Sequence, residues 1–336
     1  MRLTREFLQK AARDLVAERV KRERDLLAVY LCGSVLGEEP LLGDSGDIDL
    51  VFVHYDEQTK PREIVRLNDQ IHLDILHHSQ ALYSQPRQLR QHPWLGPTVF
   101  SCKVLYDPQH LMDFTVAGVR GQFDLPENVY ERARVQVQRA RQAWMDFSLH
   151  PEQSGAQTVY KYMQALEKAV NAVVCLNGNP LTERRFLLDF PYYAQAAGAP
   201  GLAVGILGLL GAMNLDKRPL TSWLPVWEAA YRAANTFADV PAQVHIHRLG
   251  YYRMAIAALI ESPQPANALW ALLHTWTVIA CYLPEDNLHQ EGWQNVCGFL
   301  ALLGEDFERR ILALDSYLDT IEEVVEYWGR QRGISE

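Results

Sequence analysis

One stretch of this 336-residue chain limits what the chain can become: residues 29–54, VYLCGSVLGEEPLLGDSGDIDLVFVH. A β-rich apolar run ends at Cys32, Gly33-Ser34 interrupts it, and a turn-rich loop follows over 35–46. Asp47-Ile48-Asp49 then leads a second apolar run, from Leu50 to Val53. In a strand, residues i and i+2 share a face. Asp47 and Asp49 are therefore expected to project together, with Ile48 and Leu50 turned into a core. Neighbouring carboxylates repel and raise each other's pKa, and a divalent cation relieves the conflict. Mg²⁺ suits such a pair, because it takes one or two carboxylates and completes its shell with substrate phosphates. Gly33 fits the phosphate side. A glycine after a strand allows close backbone approach, adjacent N–H groups can form an anion nest, and the Ser34 hydroxyl adds a donor.

A third acid follows in residues 70–76, QIHLDIL. Ile71, Leu73 and Ile75 alternate with His72, Asp74 and Leu76, the period of a strand. Strand, Gly33-Ser34, loop, Asp47-x-Asp49, strand and then Asp74 on a later strand together resemble the DNA polymerase beta-like nucleotidyltransferase superfamily. The nearest resemblance is to aminoglycoside (antibiotic) nucleotidyltransferases and the minimal nucleotidyltransferases. It covers roughly residues 1–115, with Gly46 standing before Asp47 and Ser45 one place earlier.

The resemblance implies a cytoplasmic enzyme that moves a nucleoside monophosphate, AMP first, from an NTP to a hydroxyl, releasing pyrophosphate. Two Mg²⁺ ions on Asp47, Asp49 and Asp74 are implied, with Gly33 and Ser34 on the β- and γ-phosphates of ATP. Asp74 would be a metal ligand, a general base toward the acceptor hydroxyl, or both. The implied acceptor is a small molecule such as an aminoglycoside-like antibiotic, held by a helical domain across a cleft. In this family a lysine from the first helices of that domain often reaches the triphosphate, which points to Lys161 and Lys168. Two alternatives stay open: modification of a protein or tRNA end, as in an antitoxin-like regulator, and nucleotide binding without catalysis.

Composition narrows the partners. A net charge of −9 argues against a broad nucleic-acid surface. A tRNA end would need a basic stripe, which Arg132, Arg134, Arg139 and Arg141 could begin. The five cysteines are scattered and lack metal spacing, so reduced thiols in a cytosolic protein are expected. The charged first 25 residues lack the apolar core of a signal peptide and instead show a helical period. The apolar run 201–213 is shorter than the ~20 residues of a membrane span. His72, His77, His78 and the pair His245 and His247 have no accompanying zinc-ligand pattern, so core or surface histidines are expected.

In chain order the pattern predicts an α/β domain over residues 1–123, a small mixed sheet with helices on one side. Its expected elements include an N-terminal helix, strands at 26–32, 47–53, 70–76 and 102–106, and helices at 60–68 and 77–91. Residues 124–336 are expected to be all-α, a bundle. Candidate helices there are 129–147, 157–176, 182–197, 201–213, 243–261, 266–282 and 305–328. In 157–176, Val159, Met163, Leu166, Val170 and Val173 form the core stripe, opposite Lys161, Gln164, Lys168 and Asn171. The nine acids from Glu305 to Glu336 read as a solvated face, or as an acidic lining for a cationic acceptor.

Overall fold

The computed structural model describes residues 3–148 and 155–334. The chain forms two compact units, Met1–Asn128 with His247–Ala255, and Val129–Ile246 with Ile256–Glu336. A short segment from far along the chain, His247–Ala255, joins the first unit.

The first unit opens with helix α1 (Arg5–Arg19), capped where Thr4 Oγ1 accepts from the Phe7 N–H at 3.3 Å. The cap satisfies a donor that the first helical turn leaves without an intrahelical partner. Five strands follow: β1 (Leu26–Cys32), β2 (Gly46–His54), β3 (Arg62–Arg66), β4 (Ile71–Ser79) and β5 (Lys103–Tyr106). Helices α2 (Pro86–Gln91) and α3 (Leu95–Ser101) precede β5, and α4 (Leu111–Arg120) follows it. The sheet order is β3-β4-β2-β1-β5. The β2–β4 pair is parallel and the other neighbours are antiparallel.

Strand alternation divides the apolar residues between two cores. Ile48, Leu50 and Phe52 of β2 join Ile71, Leu73 and Ile75 of β4 against Leu8, Ala12 and Val16 of α1. Val51 and Val53 face Leu89, Val99, Met112 and Val116 from α2, α3 and α4. Each fully buried Leu or Val contributes about 1.5–3 kcal/mol by leaving water, which fixes the register of these strands. Helices cover both faces, not the one face expected. Two local expectations also change. Residues 60–68 contain strand β3, not a helix, and β4 continues to Ser79 where a helix from His77 was expected.

In the second unit the described regular elements are helical. They are α5 (Pro126–Ser148, from Val129 onward), α6 (Ala156–Val174), α7 (Phe186–Ala196), α8 (Gly201–Leu209), α9 (Lys217–Ala234), α10 (Leu249–Ile260, from Ile256 onward), α11 (Leu269–Tyr282), α12 (Gln290–Phe299) and α13 (Glu305–Arg330). All five residues of the predicted α6 stripe are buried. Asn171 departs from its expected outward place: it is buried, and its Oδ1 accepts from the Leu181 N–H at 2.7 Å. No helix among the described residues is long and apolar enough to cross a membrane.

Candidate functional site

Strand register brings the three predicted acids together at one end of the first unit's sheet. Asp47 pairs with His72 and Asp49 with Asp74 across the parallel β2–β4 ladder. Asp49 also faces Cys32 on β1, and Asp74 faces Ile64 on β3. All three carboxylates project from the face opposite α1, because their strand neighbours Ile48, Leu50, Leu73 and Ile75 occupy the α1 core. Asp47 and Asp74 are buried, while Asp49 keeps some solvent access.

Gly33 directly follows β1 with φ at 75°, a left-handed region that favours glycine. A β-carbon there would stand 1.9 Å from Asp49 Oδ2, so the Asp49 carboxylate lies against bare backbone. Ser34 begins a single 3₁₀ turn, and its hydroxyl lies 3.4 Å from both Asp47 Oδ1 and the Pro40 carbonyl. The predicted Gly-Ser element therefore packs directly on the Asp-x-Asp pair.

The electrostatics follow from this crowding. Burial, then the neighbouring Asp47 and Asp74, push the Asp49 carboxyl well above its ordinary range, and Arg248 and Arg62 oppose the shift. The Cys32 thiol is likewise pushed up, by burial and then by Asp49. A negative potential is thus felt by two different groups in the same row.

Two arginines that the sequence reading did not single out face these acids. Arg62 of β3 grips Asp74 with two hydrogen bonds, Nε to Oδ1 at 2.7 Å and Nη2 to Oδ2 at 2.5 Å. Arg248 Nη1 lies 3.6 Å from the same Oδ2, and Arg248 is only 5% exposed. Its guanidinium also sits over the rings of Tyr251 and Tyr252, at 5.6 and 5.4 Å from their centroids. Arg62 alternates with Glu63 in a five-residue strand, a signal hidden by the charges of that segment. Nothing local in the sequence marks Arg248.

The donor set fits a divalent cation only in part. Asp47 and Asp49 supply two adjacent carboxylates, the number Mg²⁺ takes when phosphates complete its shell. Burial and then the neighbouring Asp47 and Asp74 raise Asp49, a crowding that added positive charge would relieve. Both Asp74 oxygens are engaged by Arg62, and among the described residues no group of three or more His, Cys, Asp or Glu is placed to hold a metal ion. An ion that needs Asp74 therefore requires Arg62 to move.

The other predicted residues have ordinary surroundings. Lys161 and Lys168 lie half-buried on α6 of the second unit, with Lys168 Nζ 3.6 Å from Glu167. The His77 ring bridges His54 and Glu63, at 2.8 and 2.9 Å, and His78 Nδ1 meets the Tyr83 hydroxyl at 2.6 Å. His247 Nδ1 donates to the Ile64 carbonyl at 3.1 Å. Of the basic stripe, Arg132 is buried and Arg134 pairs with Glu131. Arg141 pairs with Asp315, Asp319 and Glu322, so part of the acid-rich C-terminal face is already neutralised. Glu336, the last of the nine acids, lies outside the described residues.

Compared with known proteins, the chain matches no family model and no curated protein.

Proposed function

We propose that the first unit carries the catalytic site of a Mg²⁺-dependent nucleotidyltransferase, which moves a nucleoside monophosphate, AMP first, from an NTP to a hydroxyl-bearing small molecule. The observation that supports this most is that Asp47, Asp49 and Asp74 share one face of the neighbouring strands β2 and β4 beside the Gly33-Ser34 turn. Asp47 and Asp49 are the residues that would hold Mg²⁺. When bound, the ion would neutralise phosphate charge and keep the reacting groups in line. Backbone at Gly33 and Ser34 would cradle the phosphates. Asp74, once Arg62 withdraws, would accept the acceptor's hydroxyl proton as the acceptor oxygen bonds to the α-phosphorus. The bond from the α-phosphorus to the bridging oxygen breaks, and pyrophosphate leaves.

A second reading is nucleotide binding without transfer, and the grip of Arg62 on both Asp74 oxygens favours it. One experiment separates the two. Purified protein with Mg²⁺ is presented with each NTP and a panel of aminoglycosides, peptides and tRNA, and pyrophosphate release is followed beside nucleotide-dependent thermal shift. Acceptor-dependent pyrophosphate release that Asp49→Asn abolishes supports transfer. Nucleotide binding with no release across the panel supports the second reading, and the absence of both overturns each.

A further inference from the structure

The segment His247–Ala255 belongs to the first unit although almost 120 residues separate it from Asn128. Its attachment is dense and falls around the acids. Ser45 Oγ, two residues before Asp47, lies 3.1 Å from the Tyr251 carbonyl oxygen and 2.9 Å from that of Leu42. The Tyr251 ring meets His72 in an edge-to-face contact at 4.8 Å. His247 donates to the Ile64 carbonyl, opposite Asp74 in the ladder. Gly250 approaches the Asp69 carbonyl so closely that a β-carbon would stand 2.0 Å from its oxygen. Strands β3 and β4 and the residue just before β2 are thus touched, each within two residues of an acid or of its ladder partner.

The side chain this attachment delivers is Arg248. It is buried, 3.6 Å from Asp74 Oδ2, and held over two tyrosine faces. Burying a guanidinium is costly unless acids compensate it. An arginine cannot neutralise itself by losing its proton. A permanent positive charge therefore stands in the acid site whatever the pH.

We propose that Arg248 is a positioning residue of this site, a fixed cation that holds Asp74 and sets the balance between uptake of a divalent cation and uptake of a polyphosphate. The inference rests on the nucleotidyl-transfer reading only for the identity of the polyphosphate. A fixed positive charge repels the metal ion and attracts the phosphate chain, and both effects are strong where water is largely excluded. Removing it must move the two affinities in opposite directions. A purely structural role would lower both.

The test uses the full chain with Arg248→Met and Arg248→Lys, and measures binding of Mg²⁺ alone and of inorganic tripolyphosphate alone by titration calorimetry. Circular dichroism checks the fold. The expected result for Arg248→Met is Mg²⁺ binding tighter by about tenfold and tripolyphosphate binding weaker by about tenfold or more, each tenfold being roughly 1.4 kcal/mol. Arg248→Lys, which keeps the charge, should stay within a few-fold of wild type for both probes. If Arg248→Met does not fold, Arg248→Gln replaces it, and failure of both neutral variants to fold makes Arg248 structural and overturns the proposal. A fall in both affinities also overturns it, as does a wild type that binds neither probe. If the opposite shifts appear but no NTP is ever turned over, the inference stands and the nucleotidyl-transfer reading fails.

Discussion

Asp49→Asn should make the metal-free protein more stable while removing the Mg²⁺ response proposed for it. Asp49 sits beside two other carboxylates, and its raised pKa means that folding opposes its negative charge. The amide keeps the shape and drops the charge. An inadequately compensated buried group costs about 1–3 kcal/mol, and the partial solvent access of Asp49 puts the gain at the low end. A gain near 1 kcal/mol corresponds to roughly 2–4 °C in Tm for a domain of ~150–250 residues. The sign with pH is fixed by linkage. A carboxyl whose folded pKa is raised contributes its stability at low pH, below its ordinary value of 3.8, and loses it as pH rises through the higher folded value. The advantage of the mutant should therefore be absent in acid and grow across that window. Mg²⁺ should then close the gap from the other side. At ten times its dissociation constant it stabilises wild type by about 1.4 kcal/mol and leaves the mutant nearly unmoved. Thermal melts of both proteins over a pH series, in EDTA and in Mg²⁺, read every term. A mutant that is less stable than wild type in EDTA at neutral pH, or a gap that ignores pH, would refute the electrostatic reasoning.

Other perturbations follow from the same contacts. Gly33→Ala puts a β-carbon into the Asp49 carboxylate at a positive φ, so it should lower stability by about 1–3 kcal/mol and abolish Mg²⁺-dependent stabilisation, both visible in melts with and without the ion. Arg62→Met removes two hydrogen bonds from a buried carboxylate and should cost about 1–3 kcal/mol, read by urea unfolding; Arg248 keeps the loss below that of a fully stranded charge. Glu63 is pushed up by burial, but hydrogen bonds from Arg19 and then His77 outweigh this and hold its pKa below the ordinary value. The stability it contributes is present above its unfolded pKa and is lost as pH falls through the folded one. Glu63→Gln should therefore be less stable than wild type near neutrality and indistinguishable from it in strong acid, checked by a pH series of melts.

What the sequence reveals and what it conceals divide along physical lines. That Asp47 and Asp49 of β2 and Asp74 of β4 each turn away from the core was legible because strand alternation is local. Ile48, Leu50, Leu73 and Ile75 must turn to the core, which places the acids on the other face. Strand β3 was concealed because three of its five residues, Arg62, Glu63 and Arg66, are charged, and that composition reads as a solvated helix. The end of β4 was concealed for a related reason. His77 reads as polar, yet its ring is satisfied inside the fold between His54 and Glu63. In the second unit α9 carries Pro225 within it, a residue that breaks the helical pattern on paper while the packed helix continues.

Arg248 is the case that local reasoning cannot reach. Its meaning comes from where the chain returns, not from the residues around it. The return has a physical cause that can be traced through the contacts. Three carboxylates with only Arg62 beside them would leave the acid end of the sheet short of positive charge, and Asp74 buried against a single partner. A second guanidinium relieves this only if the backbone carrying it is held close, and holding it requires groups that tolerate tight approach. Gly250 supplies that at the Asp69 carbonyl, and Tyr251 and Tyr252 supply aromatic faces on which a guanidinium can rest. Read alone, a glycine followed by two tyrosines at the start of an apolar helix looks like packing. Only when the strand register has gathered Asp47, Asp49 and Asp74 does the same segment become the source of the charge that those acids lack.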